Sequence, residues 1–149
     1  MTPEVERLRA ALDGLRAGVL KKLAGLGDDD ARRSPVDSGT NLAGLLQHLT
    51  FVESMWFEEI VAGRKATRGA RTMLVEPAIS LRTLRADYRA ACATSNEIIA
   101  AAGDADSPVT YQGRVRDPRW ALLAVLEETA RHAGHADIIR EQIDGVTGR

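Results

Sequence analysis

The chain has 149 residues, 44% of them hydrophobic, which suits one core and one domain spanning 1–149. Its 20 basic and 21 acidic residues are interspersed and leave a formal net charge of −1, so nothing points to nucleic acid or an anionic membrane. A single cysteine, Cys92, excludes an intrachain disulfide and a cysteine-rich zinc module.

The start, Met1-Thr2-Pro3-Glu4, lacks the layout of a signal peptide, and no apolar run approaches the roughly 20 residues of a membrane span. A soluble cytoplasmic protein with a small-molecule partner is expected. Thr2 is placed to cap a first helix and Pro3 suits its first turn, where a missing N–H costs nothing. Val5, Leu8, Leu12, Leu15, Val19, Leu23 and Leu26 then recur at spacings of three and four, giving one apolar stripe that Gly25 and Gly27 end. Residues 28–35 are polar and proline-punctuated and read as a connecting loop.

A second helix is expected from 38–40 to 63, with Leu42, Leu45, Leu49, Val52, Trp56 and Ile60 inward and His48 bordering that stripe. Residues 64–71 are basic and pattern-free and read as a solvated loop, with a mobile flap bringing arginines to an anionic ligand as the alternative. Ser80 caps a third helix, with Ile79 and Leu84 spaced as a hydrophobic staple. Leu81, Leu84, Tyr88, Ala91, Ser95, Ile98 and Ala102 carry its stripe to Gly103, and Cys92 beside it reads as a buried, inert thiol. Residues 104–114 hold turn formers around a short β-prone piece, a loop or a small hairpin at most. Asp117 and Pro118 open a fourth helix that runs to about Asp144, before Gly145.

Four such helices, each spanning about 35 to 40 Å at 1.5 Å per residue, predict an all-α four-helix bundle with long connecting loops. Those loops exceed what an up-down-up-down bundle needs, so at least one crossover is expected.

Two of the three histidines fall in the fourth helix. At 100° per residue, Glu128, His132 and His135 share a narrow sector with Val125 and Ile139, so ionisable groups lean toward the apolar side, where they are costly unless coordinated or hydrogen-bonded. Side chains one turn apart can converge on one ion. The ligand sets are Glu128 with His132, or His132 with His135, each completed by His48. Glu128 and His135 are about 10 Å apart along the axis, too far to share an ion. Two imidazoles and a carboxylate suit zinc, nickel, cobalt, manganese or iron with positions left for water or substrate. A thiol bound there would lose its proton, and a bound water would be acidified. The competing reading is three half-buried histidines with ordinary hydrogen-bond partners, and Glu127 or Glu128 paired with Arg131 or His132. Gly134, costly inside a helix by about 1 kcal/mol, would be explained by the close approach of another helix or a ligand. Trp56 and Trp120 either wall a pocket or fill the core.

The run Gly44-Leu45-Leu46-Gln47-His48-Leu49, followed by Glu53 and Trp56-Phe57, then 127–137 and Ile143-Asp144-Gly145, resembles the DinB-like superfamily. It is most similar to an actinobacterial branch long catalogued as a domain of unknown function, related to the N-terminal domain of mycothiol-dependent maleylpyruvate isomerase. The likeness covers nearly the whole chain. It implies a DinB/YfiT-like four-helix bundle, often a homodimer, whose metal ligands fall on His48, Glu128 and His132; many relatives carry histidine where this chain has Glu128. It also implies a divalent ion, zinc or nickel first, and a low-molecular-weight thiol cosubstrate such as mycothiol, bacillithiol or glutathione. Candidate catalytic groups are then Glu128 and His135, and candidate cofactor contacts Trp56 and Arg131. The chain ends soon after the fourth helix, without that isomerase's additional C-terminal domain, so that particular reaction is not expected. A thiol-dependent transferase or isomerase is the expected function; metal-dependent hydrolysis and a non-catalytic binding or dimerisation bundle are the alternatives.

Overall fold

Each long helix starts on a side-chain cap. Thr2 Oγ1 accepts the Val5 N–H at 3.4 Å and Pro3 fills the first position of α1 (Pro3–Lys22). In the computed structural model, which describes residues 1–102 and 108–147, α1 gives way to a turn in which Gly25 is left-handed (φ 76°). The segment read as a connecting loop carries a short helix, α2 (Asp28–Arg32). Three aspartates in its first turn oppose the positive end of the helix dipole, a favourable placement that composition alone does not reveal. Arg32 donates to the carbonyls of Val75, at 3.1 Å, and Ile79, binding α2 to the chain before the third long helix.

The next helix, α3 (Leu42–Glu53), starts later than the expected 38–40. Asn41 is the cap, accepting the Gly44 N–H at 2.8 Å, and Gly39 upstream turns the chain at φ 79°. From Ser54 to Val61 the coil widens to π-helix, closing with the Ala62 N–H on the Phe57 carbonyl five residues back at 2.9 Å. Wider turns advance fewer degrees per residue. Ser54, Trp56, Phe57 and Glu58 are therefore buried together, and Ile60, expected inward, is only half-buried.

Ser80 Oγ accepts the Thr83 N–H at 3.1 Å and Asp28 accepts the Leu81 N–H at 2.9 Å, which together start α4 (Leu81–Ala102). Ile79 packs on the core cluster that contains Leu84, as the staple requires. The expected stop at Gly103 and the loop over 104–107 lie outside the described residues. The β-prone piece is a hairpin, β1 (Val109–Tyr111) and β2 (Arg114–Arg116), antiparallel with Val109 opposite Arg116. Its turn has positive φ at both Gln112 and Gly113, matching the right-handed twist of the strands. Asp117 accepts the Trp120 N–H at 3.0 Å to start α5 (Pro118–Asp144), which ends on left-handed Gly145.

Two apolar clusters reveal the helix directions. One gathers Val19 of α1 and Leu23 just after it, Leu42 to Leu49 of α3, Leu81 to Tyr88 of α4, and Ala136 and Ile139 of α5. The other gathers Val5 and Leu12, Val52 to Phe57, Ile98 and Ile99, and Ala121 to Val125. Hence α1 and α5 run parallel to each other and antiparallel to α3 and α4. The most extensive packing is of α1 on α5 and of α3 on α4 and α5. Since α3 and α4 run parallel, the connection over residues 62–80 has to travel back along the bundle, the crossover that the long connections imply.

Between the clusters lies a polar layer that the apolar pattern did not reveal. Arg16 and Glu53, 3% and 1% exposed, form a two-pronged pair at 2.8 and 2.6 Å, and Arg16 also donates to Asp13 and Asn96, each at 2.7 Å. Burial opposes the Arg16 charge, but its hydrogen bonds and charge attraction to Glu53 outweigh that and raise its pKa. Burial first, then the Glu53 charge, pushes the Cys92 thiol up to about 12, as expected of an inert cysteine. Arg140 of α5, 7% exposed, donates to the Lys22 and Ala24 carbonyls at 2.8 Å each and pairs with Asp144, satisfying carbonyls at the end of α1. No described helix is long and apolar enough to cross a membrane.

Candidate metal centre

Because α3 and α5 run antiparallel and in contact, the middle of one faces the middle of the other. His48 of α3 meets Glu128 and His132, one turn apart on α5. One ligand atom from each lies within 4.8 Å of the others. His132 Nε2 is 3.3 Å and His48 Nε2 is 3.8 Å from Glu128 Oε2, so one carboxylate oxygen faces both ring nitrogens. The His48 and His132 rings stand at 80° with centroids 5.0 Å apart. Exposures of 18%, 28% and 11% for the His48, Glu128 and His132 side chains put the cluster in a groove reached by solvent.

Each of the three is held from behind. The Arg71 carbonyl lies 3.1 Å from His48 Nδ1; a carbonyl can only accept, so neutral His48 carries its proton on Nδ1 and turns the Nε2 lone pair into the groove. Arg131 grips Glu128 Oε1 at 2.6 Å and Glu127 at 2.8 Å, leaving Oε2 for the groove. His132 Nδ1 is 3.2 Å from His135 Nδ1, which lets His132 donate outward and keep Nε2 unprotonated. Burial, reinforced by the His48 charge and opposed by Glu128, lowers the His132 pKa, favouring the neutral form that binds metal.

Donors on a tetrahedral zinc at about 2.0 to 2.1 Å stand about 3.3 Å apart. The donor separations from Glu128 Oε2, 3.3 and 3.8 Å, need only small side-chain rotations to match. Two neutral imidazoles and a carboxylate are also a donor set suited to divalent zinc or nickel. The residues therefore fit such an ion.

The segment that fixes His48 is itself clamped. Gln47 Nε2 donates to the Thr72 and Leu74 carbonyls at 2.9 and 3.0 Å. A Cβ on Gly44 would stand 2.2 Å from the Met73 carbonyl oxygen, and one on Gly69, already at φ 77°, would stand 2.2 Å from the Phe51 nitrogen. Only glycine permits these approaches. The basic stretch 64–71 is thus laid on α3, with Thr67 bonded to buried Glu58 at 2.9 Å and Arg71 over the Phe51 ring at 5.4 Å. Its part in the site is a main-chain oxygen, which no side-chain pattern could signal.

Of the other sequence candidates, His135 is exposed and borders a cavity of about 370 Å³ lined also by Val36, Ser38, Thr40, Ile138 and Ile139. Trp56 does not join the triad. It lies eight residues past His48, about 12 Å along the helix, and stacks with Trp120 and Tyr111 at centroid separations of 4.9 and 5.0 Å. Gly134 is exposed and a Cβ there would meet nothing; no part of the described chain approaches it closely, contrary to expectation.

An all-α bundle with a histidine from one helix and a Glu/His pair one turn apart on another defines a DinB-like protein. A family model described as mycothiol-S-transferase matches residues 7–145, and the chain belongs to that family. No curated protein matches it.

Proposed function

We propose that this chain is a metal-dependent S-transferase that joins a low-molecular-weight thiol of the mycothiol type to a small electrophile. The supporting observation is the convergence of His48, Glu128 and His132 to within 4.8 Å, in a chain whose family model is described as mycothiol-S-transferase. A bound zinc or nickel ion would supply positive charge that stabilises a thiolate near neutral pH. His48 and His132 would hold it through Nε2 and Glu128 through Oε2. Glu128, with Oε1 toward Arg131 and solvent, is the acceptor for the thiol proton, and Arg131 is the contact for the polar part of the cosubstrate. His135, accepting from His132 at Nδ1, carries its own proton on Nε2 and donates a hydrogen bond from it to the departing group, keeping the proton. In the transfer a sulfur–carbon bond forms, the carbon–leaving-group bond breaks with its electron pair leaving on the departing group as an anion, and the thiol proton passes by way of Glu128 to solvent. The cavity beside His135 seats the electrophile. Trp56 has no part in this reading, since its ring is packed between Trp120 and Tyr111.

A cytoplasmic location belongs to the same reading, because a reduced thiol cosubstrate needs a reducing compartment. Homodimerisation is supported by Leu123 and Ile138, large apolar side chains left 48% and 59% exposed on α5, and sedimentation measures it directly.

The test is elemental analysis of protein purified without chelator, paired with turnover of an alkyl halide with and without added thiol. Stoichiometric metal that His48→Ala and His132→Ala both lose, with turnover that requires thiol, is the expected result. Equal metal content in all three proteins, or equal turnover without thiol, overturns it; the latter indicates hydrolysis.

A further inference from the structure

We infer that the flank of α4 away from the metal-ligand groove carries a second, anion-binding site, built by Arg82, Arg85 and Arg89 and suited to the phosphoryl group of a small soluble molecule. At spacings of three and four the three guanidinium groups project from one face of the helix, and with Leu26, Asp28 and Leu81 they line a cavity of about 430 Å³. None of the three is ion-paired with a carboxylate among the described residues, whereas Arg16, Arg131 and Arg140 all are. Arg85 makes one long bond, to the Leu20 carbonyl at 3.4 Å, and its buried Nε–H has no partner.

The position in the helix strengthens the argument. All three lie in the first half of α4, and Arg82 and Arg85 are in or next to its first turn, where the helix dipole is positive and no acidic residue is present. Cations there are disfavoured by the fold, while anions are favoured. Asp28 is the one carboxylate lining the cavity, and one of its oxygens is engaged by the Leu81 N–H at 2.9 Å. Three positive charges against one negative leave a net of two, matching a phosphate dianion, and arginine forks bind such oxyanions through paired N–H groups. Its volume is in the range of a small-molecule site. The site stands apart from the proposed S-transfer, since the triad lies between α3 and α5.

Calorimetric titration of the full chain with inorganic pyrophosphate at low ionic strength tests it. Saturable binding is expected, weakened about tenfold or more in Arg85→Gln and in the double variant Arg82→Gln with Arg89→Gln, and unchanged in His48→Ala, which lacks a metal ligand. Arg82 and Arg89 are exposed, so the double variant should keep the wild-type circular dichroism and leave the result interpretable even if Arg85→Gln perturbs the fold. Absence of saturable binding overturns the assignment, as does full affinity in the double variant, or loss of binding in His48→Ala. Co-sedimentation with phosphatidate vesicles that pyrophosphate does not compete away would also overturn it, in favour of a lipid headgroup.

Discussion

His48 of α3 donates from Nδ1 to the main-chain oxygen of Arg71 over 3.1 Å, so the loop after the π-helical turn sets which ring nitrogen faces the groove. The loop holds that oxygen in place only because Gly44 and Gly69 let backbone approach backbone. Gly44→Ala puts a methyl group against the Met73 carbonyl and must displace the loop, releasing His48 from its acceptor. Partners of this kind are worth about 10- to 100-fold in metal affinity. The expected outcome is zinc affinity lowered by that order with helix content unchanged, read by competition with a chromogenic chelator. Affinity equal to wild type would show that the Arg71 contact does not orient the ligand.

Arg131 offers a different kind of support. Its pairing with Glu127 and Glu128 lies on the surface, with the Arg131 side chain half exposed, and such pairs contribute about 0 to 1 kcal/mol to stability. Arg131→Ala is therefore expected to leave the urea midpoint nearly unmoved. Glu128, no longer gripped at Oε1, samples other rotamers, so metal affinity falls several-fold and the apparent KM for the thiol rises. A large stability loss with normal metal binding would contradict this division.

Helix existence and polarity were legible because the apolar stripes are long and the caps, Thr2, Ser80 and Asp117, lie where their side chains can reach free N–H groups. The cluster of His48, Glu128 and His132 was legible only in part: spacing on α5 left Glu128 with His132 and His132 with His135 both open beside His48, and the family resemblance pointed to the set whose side chains converge. Asp28–Arg32 was missed because a single turn has no periodicity to read, and the π-helical stretch because residues 54–61 carry the apolar content of an ordinary helix. The Arg16–Glu53 layer was hidden for a different reason: the two residues are 37 positions apart, and a buried charge is recognisable only when its partner is known. Trp56 was assigned toward the site from residue type, yet position along the helix took it to the other aromatic rings.

That buried layer gives a third prediction. Glu53→Ala leaves Arg16 with its charge inside the bundle and only Asp13 and Asn96 to meet it. Removing one partner of a buried pair costs about 3 to 5 kcal/mol, so the variant should be strongly destabilised in chemical denaturation. Replacing both, Arg16→Met with Glu53→Leu, removes the unpaired charge and should restore most of that loss. Asp13 and Asn96 keep a hydrogen bond to each other at 3.2 Å; Asn96 Oδ1 loses its Arg16 donor, but Asn96 is only half-buried, within reach of water. Equal destabilisation in the single and double variants would mean the layer acts through shape rather than charge.

Acid sensitivity follows from His132. Its folded pKa lies below the ordinary histidine value of about 6.5, through burial first and then the neighbouring His48 charge, with Glu128 acting the other way. Between that lowered value and about 6.5 the unfolded chain binds a proton that the folded chain does not, so stability rises with pH across this window. Above it neither state is protonated and the curve is flat; below the folded value both are, and this group causes no further loss. Metal adds to the same trend, because protonating either imidazole ejects the ion. Chelator-treated wild type is thus expected to lose stability as pH falls from about 6.5 toward the lowered folded value, and metal-loaded protein to lose more. His132→Gln should flatten the chelator-treated curve over that interval. An unchanged slope in the variant would place the proton uptake on other groups and remove burial of His132 as its cause.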